Sequence, residues 1–291
     1  MATKTTAAAS NFPAQTVAEV FSKVKGHSTL AKLAHQMAVP FSGADIFTFS
    51  LDGEVSIVGE GKQKPAGEAT IAPVSVRPLK VVYQHRVSNE FMYASEEKSL
   101  AMLTAFADGF AKKIASGLDI MAMHGVNPAD LATSTAIGTN HLDATDIQTV
   151  DYADDPEAAL TDALAKLGDY DATGYAMSKS FAADMGTLKV NGVPQYPEFK
   201  LGGNPGTLAG ITCDVNNTVN KTGTSLAYVG DFANAFRWGY AANIPMEIIE
   251  YGDPDGQGDL KRTNEIVLRA EAFIGWAILD KKAFARVVTG D

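Results

Sequence analysis

The chain has 291 residues, of which 46% are hydrophobic, so it is long enough for one or two domains with a sizeable core. Its formal net charge of -10 argues against a simple nucleic-acid-binding protein, which usually carries a basic patch or stripe. The single cysteine, Cys213, excludes a disulfide within the chain and a cysteine-based zinc site. No run of 18 apolar residues is present to span a membrane.

The first 45 residues predict an N-terminal arm. Residues 1–45 lack clear periodicity and are rich in Ala, Thr and Ser, so we expect an extended segment with a helical stretch through Val17–Val24. Residues 1–40 hold four lysines and one acid, whereas residues 119–171 hold eleven acids and one lysine. A basic arm on an acidic body suits contact with neighbouring molecules or with a polyanion.

The next segment predicts a two-stranded ribbon. Apolar residues fall on odd positions through Phe47–Ile57, which is typical of a strand with one buried face. Glycines and a proline interrupt the pattern at Gly59–Gly67, and alternation resumes through Val74–Val87 with a one-residue slip at Pro78. Residues 46–88 therefore predict a long ribbon with a basic tip. Such a ribbon is marginally stable alone, so we expect it to lie on another surface.

A long helix follows the ribbon. Ser95 is the predicted N-cap, and Glu96 and Glu97 place acids in the first turn, where they favour the helix dipole. Apolar residues then recur every three or four positions through Leu100–Met121. About 24 residues at about 1.5 Å each give a rod of roughly 36 Å, which is long for an ordinary globular domain.

The rest of the chain predicts an α/β region and one unusually long strand. A helix is expected to begin at Asp155-Pro156 and to end at Gly168. Further elements are predicted at Phe181–Leu188 (helix), Ile211–Val215, Leu226–Val229 and Ile244–Glu250 (strands). Glu265–Trp276 alternates for a dozen residues, which predicts a strand of exceptional length.

Motifs that carry chemistry are incomplete. The sequence GEGK at Gly59–Lys62 lacks both the first glycine and the final Ser or Thr of a P-loop, so it predicts a turn. Cys213 is expected to be a buried apolar residue, and the acids of residues 119–171 a solvated face. The acids of the turn 252–259 are also expected to be solvated. No metal-binding or catalytic motif contains any of the five histidines, which are expected at the surface or at interfaces: His27, His35, His85, His124 and His141.

Five stretches together resemble the major capsid proteins of tailed bacteriophages with the Hong Kong 97-type fold. Val87–Phe91 is similar to the segment that precedes the long helix of that family. Gly206–Ile211 resembles its "tLlG-P" strand start, and Val229–Phe232 resembles its "GDF" turn. Ile266–Glu271 and Asp280–Phe284 are similar to the long strand and to the "P-x-A-F" close at its C-terminus.

The resemblance implies an α+β fold with six segments. They are an N-terminal arm (1–45), an E-loop ribbon (46–88), a P-domain spine helix (89–125), an A-domain (126–260), a P-domain long strand (261–276) and a C-terminal segment that returns to the A-domain (277–291). In that family the arm and the E-loop lie across neighbouring subunits.

The function implied by the resemblance is self-assembly, as hexamers and pentamers, into an icosahedral shell around double-stranded DNA. The expected partners are other copies of the chain, a separate scaffolding protein, a portal, a decoration protein and DNA bound without sequence preference. No enzymatic turnover, cofactor, metal or membrane is expected, and the location is the virion capsid, assembled in the host bacterial cytoplasm. Two alternatives stay open: an encapsulin-type bacterial cargo compartment with the same fold, and a soluble α/β enzyme with a protruding hairpin.

The founding member of the fold joins its subunits by an isopeptide bond, and the resemblance implies candidate residues for one here. Lys62 or Lys64 would attack Asn264, assisted by Glu271, because a carboxylate shielded by apolar neighbours can take the lysine proton. The family's lysine position is occupied by Gly61 in this chain, and Lys62 and Lys64 are the nearest lysines. Otherwise these lysines form salt bridges between subunits. The expected intersubunit contacts are Glu60, Lys62, Lys64, Arg77, Lys80 and Arg86.

Overall fold

The computed structural model describes residues 27–52, 55–90, 96–241 and 246–290, which fold into helices and sheets of both parallel and antiparallel pairing. The helices are α1 (Thr29–Leu33), α2 (Glu96–His124), α3 (Pro156–Lys166), α4 (Lys179–Thr187), α5 (Phe232–Ala235) and α6 (Leu260–Thr263). The strands are β1 (His35–Gln36), β2 (Ala44–Asp52), β3 (Glu68–Val76), β4 (Leu79–Ser88), β5 (Gln148–Tyr152), β6 (Gly174–Met177), β7 (Lys189–Val190), β8 (Val193–Pro194), β9 (Thr207–Leu208), β10 (Ile211–Val215), β11 (Ser225–Gly230), β12 (Phe236–Tyr240), β13 (Met246–Ile249), β14 (Glu265–Ile278) and β15 (Phe284–Thr289). Within the described ranges, no helix is long and apolar enough to cross a membrane.

A five-stranded sheet is built on β14, which has 14 residues and confirms the predicted long strand. β4 pairs with one edge of β14, and β13 and β12 share the other edge. The apolar face of β14, from Ile266 to Ile274, is buried in one core with the long helix α2. The helix was predicted from its apolar spacing and is confirmed, with 29 residues. Its predicted N-cap, Ser95, lies outside the described residues.

A second sheet has six strands, in the order β5-β15-β11-β6-β10-β9. Helices α3 and α4 pack on it around Leu160, Phe181 and Val229 in a separate core. α3 starts as predicted, because the Asp155 carboxylate accepts hydrogen bonds from the backbone N–H groups of Glu157 and Ala158. The C-terminal strand β15 lies between β5 and β11, so the end of the chain returns to the middle of this sheet.

The ribbon is shorter than the sequence predicts. Only β2 and β3 pair with each other, from Ala44 opposite Val76 to Asp52 opposite Glu68. The second half of the predicted ribbon, β4, instead pairs with β14 over ten residues. The prediction of one ribbon through 46–88 is therefore wrong beyond Val76. The slip at Pro78 marks the place where the chain leaves the ribbon and joins the sheet.

Residues 28–39 belong to the body of the protein and are not part of a free arm, which corrects the predicted segment 1–45. Leu30 in α1 is fully buried, and β1 pairs in parallel with β12. The helical stretch predicted at Val17–Val24 lies outside the described residues.

Candidate assembly surface

One face of the ribbon is apolar and open to solvent. Phe49 lies directly opposite Ile71, and Phe47 lies opposite Pro73, so all four side chains share one face of the two-stranded sheet. Phe47, Phe49 and Ile71 are 70%, 63% and 65% exposed. The sequence predicted that this face is buried, and the subunit's own described residues do not bury it. A contiguous exposed apolar face of this kind is typical of an interaction surface.

The other face of the ribbon is attached to the body at its base. Ile46 and Val74 pack against a small cluster formed by Val39, Val76 and Ala277. These three side chains are 3%, 0% and 0% exposed. The ribbon is therefore fixed at its base, while its aromatic face points away from its own subunit.

The ribbon ends in a polar tip that carries the predicted lysines. Glu60, Lys62 and Lys64 are exposed there, and the Lys62 N–H donates to the Gly59 carbonyl oxygen at 3.1 Å in a tight turn. Gly61 has a φ of 75°, which a residue with a side chain rarely adopts. The predicted strand through Ile57 is wrong in its second half: β2 ends at Asp52, and Ile57 lies fully exposed in the tip.

Two of the predicted intersubunit residues have partners within their own chain. The guanidinium of Arg86 donates to the carboxylates of Asp255 and Glu265, the latter at 2.9 Å. These carboxylates hold the pKa of Arg86 above its usual range. The Lys80 amine lies 2.8 Å from the Glu271 carboxylate. These pairings within the chain do not support intersubunit roles for Lys80 and Arg86, which stay predictions. Arg77 is exposed, and its intersubunit role also stays a prediction.

The turn 252–259 is held on the sheet, and the prediction that its acids are solvated is wrong only for Asp255. Arg86 binds its Asp255, and Arg269 and Gln84 both donate to the Pro254 carbonyl oxygen, at 3.2 and 3.3 Å. The Asp259 carboxylate accepts hydrogen bonds from the first N–H groups of α6. Of its three acids, Asp253 and Asp259 are exposed, whereas the side chain of Asp255 is only 11% exposed.

The predicted cross-linking residues are not assembled within one chain. Asn264 is exposed and has a φ of 56° at the end of α6, directly before β14. Glu271 lies seven residues further along, and at about 3.3 Å per residue the two side chains are roughly 20 Å apart. A Glu271 that assists Asn264 must therefore come from another copy.

A shallow apolar groove lies between β4 and the long helix α2. Its volume is about 690 Å³, and its lining includes Leu79 and Tyr83 from β4 and Ile114 and Met121 from α2. Val82 and Tyr83 on this strand are 48% and 40% exposed. The subunit thus presents two different open apolar surfaces, the ribbon face and this groove.

A buried Asp–His pair resembles hydrolytic machinery but has no access to a substrate. His124 Nδ1 lies 2.6 Å from an Asp143 oxygen, and its Nε2 lies 2.8 Å from the Thr218 carbonyl oxygen. The Ser225 and Tyr228 hydroxyls donate to Asp143, at 2.6 and 2.7 Å, and both residues are fully buried. The predicted surface position of His124 is therefore wrong. The pair joins the end of α2 to the six-stranded sheet.

A second buried carboxylate fixes the start of the described chain. Asp119 on α2 accepts hydrogen bonds from the Ser28 hydroxyl at 2.6 Å, from the N–H groups of Thr29 and Leu30, and from the Thr218 hydroxyl at 2.9 Å. Burial raises its pKa to about 6. Asp119 and Asp143 both lie in the acidic segment that was predicted to be a solvated face, so that prediction is wrong for these two residues. Neither role has a local sequence signal.

Cys213 is buried as predicted, at 2% exposure, and burial raises the pKa of its thiol to about 11. A thiol in this state is a poor nucleophile at neutral pH. Its role is packing in the core of the six-stranded sheet.

This architecture, a long helix under a long-stranded sheet with a projecting ribbon and a second α/β sheet, is that of a shell-forming subunit. A model of the phage capsid family matches residues 11–289. The chain therefore belongs to the phage capsid family, and its fold is of the Hong Kong 97 type.

Solved structures are consistent with this assignment. A chain from Mycobacterium phage Ogopogo is 32% identical, with a TM-score of 0.77, and the match covers 91% of this chain and 92% of that one. A chain from Gordonia phage Cozz is 22% identical, with a TM-score of 0.73 and coverage of 90% and 86%. A structure described as the capsid of a native GTA particle is 14% identical, with a TM-score of 0.64 and coverage of 100% and 96%. A search of curated proteins found no match.

Proposed function

We propose that this capsid protein is the major capsid subunit of a tailed phage or prophage. In this proposal it assembles as hexamers and pentamers into an icosahedral shell that encloses double-stranded DNA. The observation that carries the proposal is the open aromatic face of the ribbon, because an apolar surface of this kind is expected to be covered in the working state.

Two different open surfaces on one chain support assembly into rings. When the ribbon face of one copy covers a different surface of the next copy, such as the groove beside α2, the contact is heterologous. Heterologous contacts close into rings if the rotation between copies allows it, and rings of five and six subunits are the units of an icosahedral shell. A contact between two identical surfaces would instead stop at a dimer.

The charge of the chain supports DNA enclosure without tight DNA binding. The net charge is -10 at pH 7, so like charge limits adhesion between the shell and the DNA it contains. The further partners of this proposal are a separate scaffolding protein, a portal and a decoration protein, and assembly takes place in the host bacterial cytoplasm.

The tip of the ribbon is proposed to bind acids of a neighbouring copy. In the covalent version, the amine of Lys62 or Lys64 attacks the side-chain amide carbon of Asn264 in another copy and ammonia leaves. Glu271 of a further copy would take the lysine proton. The exposure of Asn264 is compatible with this reaction, but the ion pair of Glu271 with Lys80 supports the ionic version.

Denaturing gel electrophoresis of boiled particles separates the two versions. The ionic version predicts one band at 30.7 kDa. A ladder of higher masses that is lost in Asn264→Ala particles would establish the covalent version.

The assembly proposal is tested by sedimentation and electron microscopy of the purified chain. We expect shells from the wild-type protein and soluble, folded subunits from the Phe47→Ser/Phe49→Ser variant, because only the open ribbon face changes. Thr48→Ala is the matched control, since Thr48 lies on the opposite face of the same strand. Nucleic acid in the particles, rather than protein cargo, is the expected content. A species of 30.7 kDa under all conditions would contradict the proposal.

A further inference from the structure

Two glycines face each other in the middle of the five-stranded sheet. Gly239 on β12 lies directly opposite Gly275 on β14. Glycine in a strand interior is unfavourable, and neither residue has the positive φ that would require it. A glycine at such a place marks the close approach of another segment of backbone or side chain.

The segments that approach this glycine pair are those that enter and leave the ribbon at its base. A Cβ atom on Gly275 would lie 3.0 Å from Cγ1 of Val76, where β3 ends, and 3.3 Å from Cγ1 of Val39. A Cβ atom on Gly239 would collide with the carbonyl oxygen of Met37 and would lie 3.1 Å from Cγ2 of Val39. The segment that enters the ribbon and the segment that leaves it therefore both pack directly against the backbone of Gly239 and Gly275.

This contact belongs to the base of the ribbon, where the ribbon is fixed to the body of the subunit. Val39 and Val76 are two of the three buried residues of the cluster at the ribbon base. Gly43, with a φ of 87°, brings the incoming chain against the Val76 carbonyl oxygen and closes the base. None of the described residues covers the aromatic face further out, so the contacts at the base are the ones that fix the ribbon's direction in this part of the chain.

We propose that the Gly239–Gly275 pair, which we call the glycine seat, sets the angle at which the ribbon leaves the subunit. The glycine seat thereby determines whether the ribbon reaches the neighbouring copy. This inference rests on the proposed assembly function and assigns the seat a positioning role in it.

The geometry amplifies a small change at the seat. A Cβ atom at Gly275 must move Val76 from 3.0 Å to the 3.4 Å of ordinary contact, a shift of about 0.4 Å. Over one strand spacing of about 4.8 Å, this shift tilts the ribbon by about 5°. The nine residues of the strand are about 3.4 Å long each, so this tilt displaces the far end of the ribbon by about 2.5 Å. Interface cores are packed as closely as protein interiors, so a displacement of this size breaks their complementarity.

The test compares Gly275→Ala with a variant that relieves the predicted collision. Gly275→Ala should fold and melt close to the wild-type subunit but give at least tenfold fewer shells, measured by sedimentation. Adding Val76→Ala removes the nearer of the two methyl groups that the new Cβ meets, so the double variant should recover most of the shell yield, with Val76→Ala alone measured beside it. Gly109→Ala is the control, because a Cβ atom there meets nothing within 4 Å.

A distance measurement in the unassembled subunit keeps this inference separate from the assembly proposal. Spin labels on Gln63→Cys at the ribbon tip and Asp162→Cys on α3 report the ribbon angle, since both positions are exposed and Cys213 is buried. Gly275→Ala should shift the mean distance by about 2 Å or more, and Gly275→Ala/Val76→Ala should restore it. Failure of the wild-type chain to assemble would contradict the proposed function alone.

Three outcomes overturn the role of the glycine seat. The first is wild-type shell yield from Gly275→Ala, and the second is an unchanged label distance. The third is loss of folding in both Gly275→Ala and the double variant, because the glycine pair would then be a requirement of the fold.

Discussion

Replacement of Asp119 by asparagine should remove a defined part of the pH dependence of subunit stability. Asp119 is fully buried and accepts four hydrogen bonds from the start of the described chain and from Thr218. Its carboxylate nevertheless has a pKa raised from 3.8 to about 6, because burial outweighs those hydrogen bonds.

The sign follows from proton linkage. The folded state binds the proton of Asp119 more tightly than the unfolded state, so the stability from this group rises as the pH falls through 6 and is absent well above it. With pKa values of about 6 folded and 3.8 unfolded, lowering the pH from 7.5 to 5 should add about 1.4 kcal/mol to the free energy of unfolding. Asp143, whose pKa is lowered to about 2 by hydrogen bonds and by His124, is ionised in both states across this window.

The assay is urea unfolding at pH 7.5 and pH 5 in the Phe47→Ser/Phe49→Ser background, where unfolding is not coupled to assembly. The protein with Asp119 should gain about 1.4 kcal/mol more between the two pH values than Asp119→Asn does. Other titrating groups, such as His141, are common to both proteins and cancel in the difference. Equal pH dependence in the two proteins would refute the reasoning.

Three further changes have expected outcomes. Asp143→Asn should lower the free energy of unfolding at pH 7 by roughly 2–4 kcal/mol, measured in urea, because it replaces the oxygen beside His124 Nδ1 with an amide NH2 group and removes the charge that pairs with Arg286; a change below about 0.5 kcal/mol would contradict this. Arg86→Met should increase proteolytic cleavage in the turn 252–259, as followed by mass spectrometry, because the Asp255 and Glu265 contacts disappear; unchanged cleavage would show that the Arg269 and Gln84 contacts hold the turn without Arg86. Gly109→Ala, exposed within α2, should stabilise the subunit by about 0.5–1 kcal/mol in thermal unfolding, and destabilisation would contradict the open space around it.

Long periodic segments were predictable because one face of each is buried along its whole length. The apolar residues that alternate through β14 and those that recur every three or four positions in α2 are buried in the structure, because the apolar faces of the two elements share one core. The N-cap Asp155 was equally readable, because its partners are two and three residues away.

Pairing partners and buried polar contacts could not be predicted in the same way. The alternation of apolar and polar residues in β4 is the same whether the strand pairs with β3 or with β14, so this pattern does not identify its partner. Pro78 was the sign in the sequence that the chain leaves the ribbon and pairs with β14 instead. The contact between Ser28 and Asp119 joins residues 91 positions apart, and a lone His124 carries no pattern. The sequence predicted that one face of the ribbon is buried and that the ribbon lies on another surface, but it carried no pattern that identifies the residues covering this face.

The most direct test of the account is a cryo-electron microscopy structure of the assembled wild-type particle. The account predicts a shell of five- and six-membered rings in which the face bearing Phe47, Phe49 and Ile71 is covered by a neighbouring copy. Particles in which that face stays open to solvent, or a purified chain that never exceeds 30.7 kDa, would contradict it.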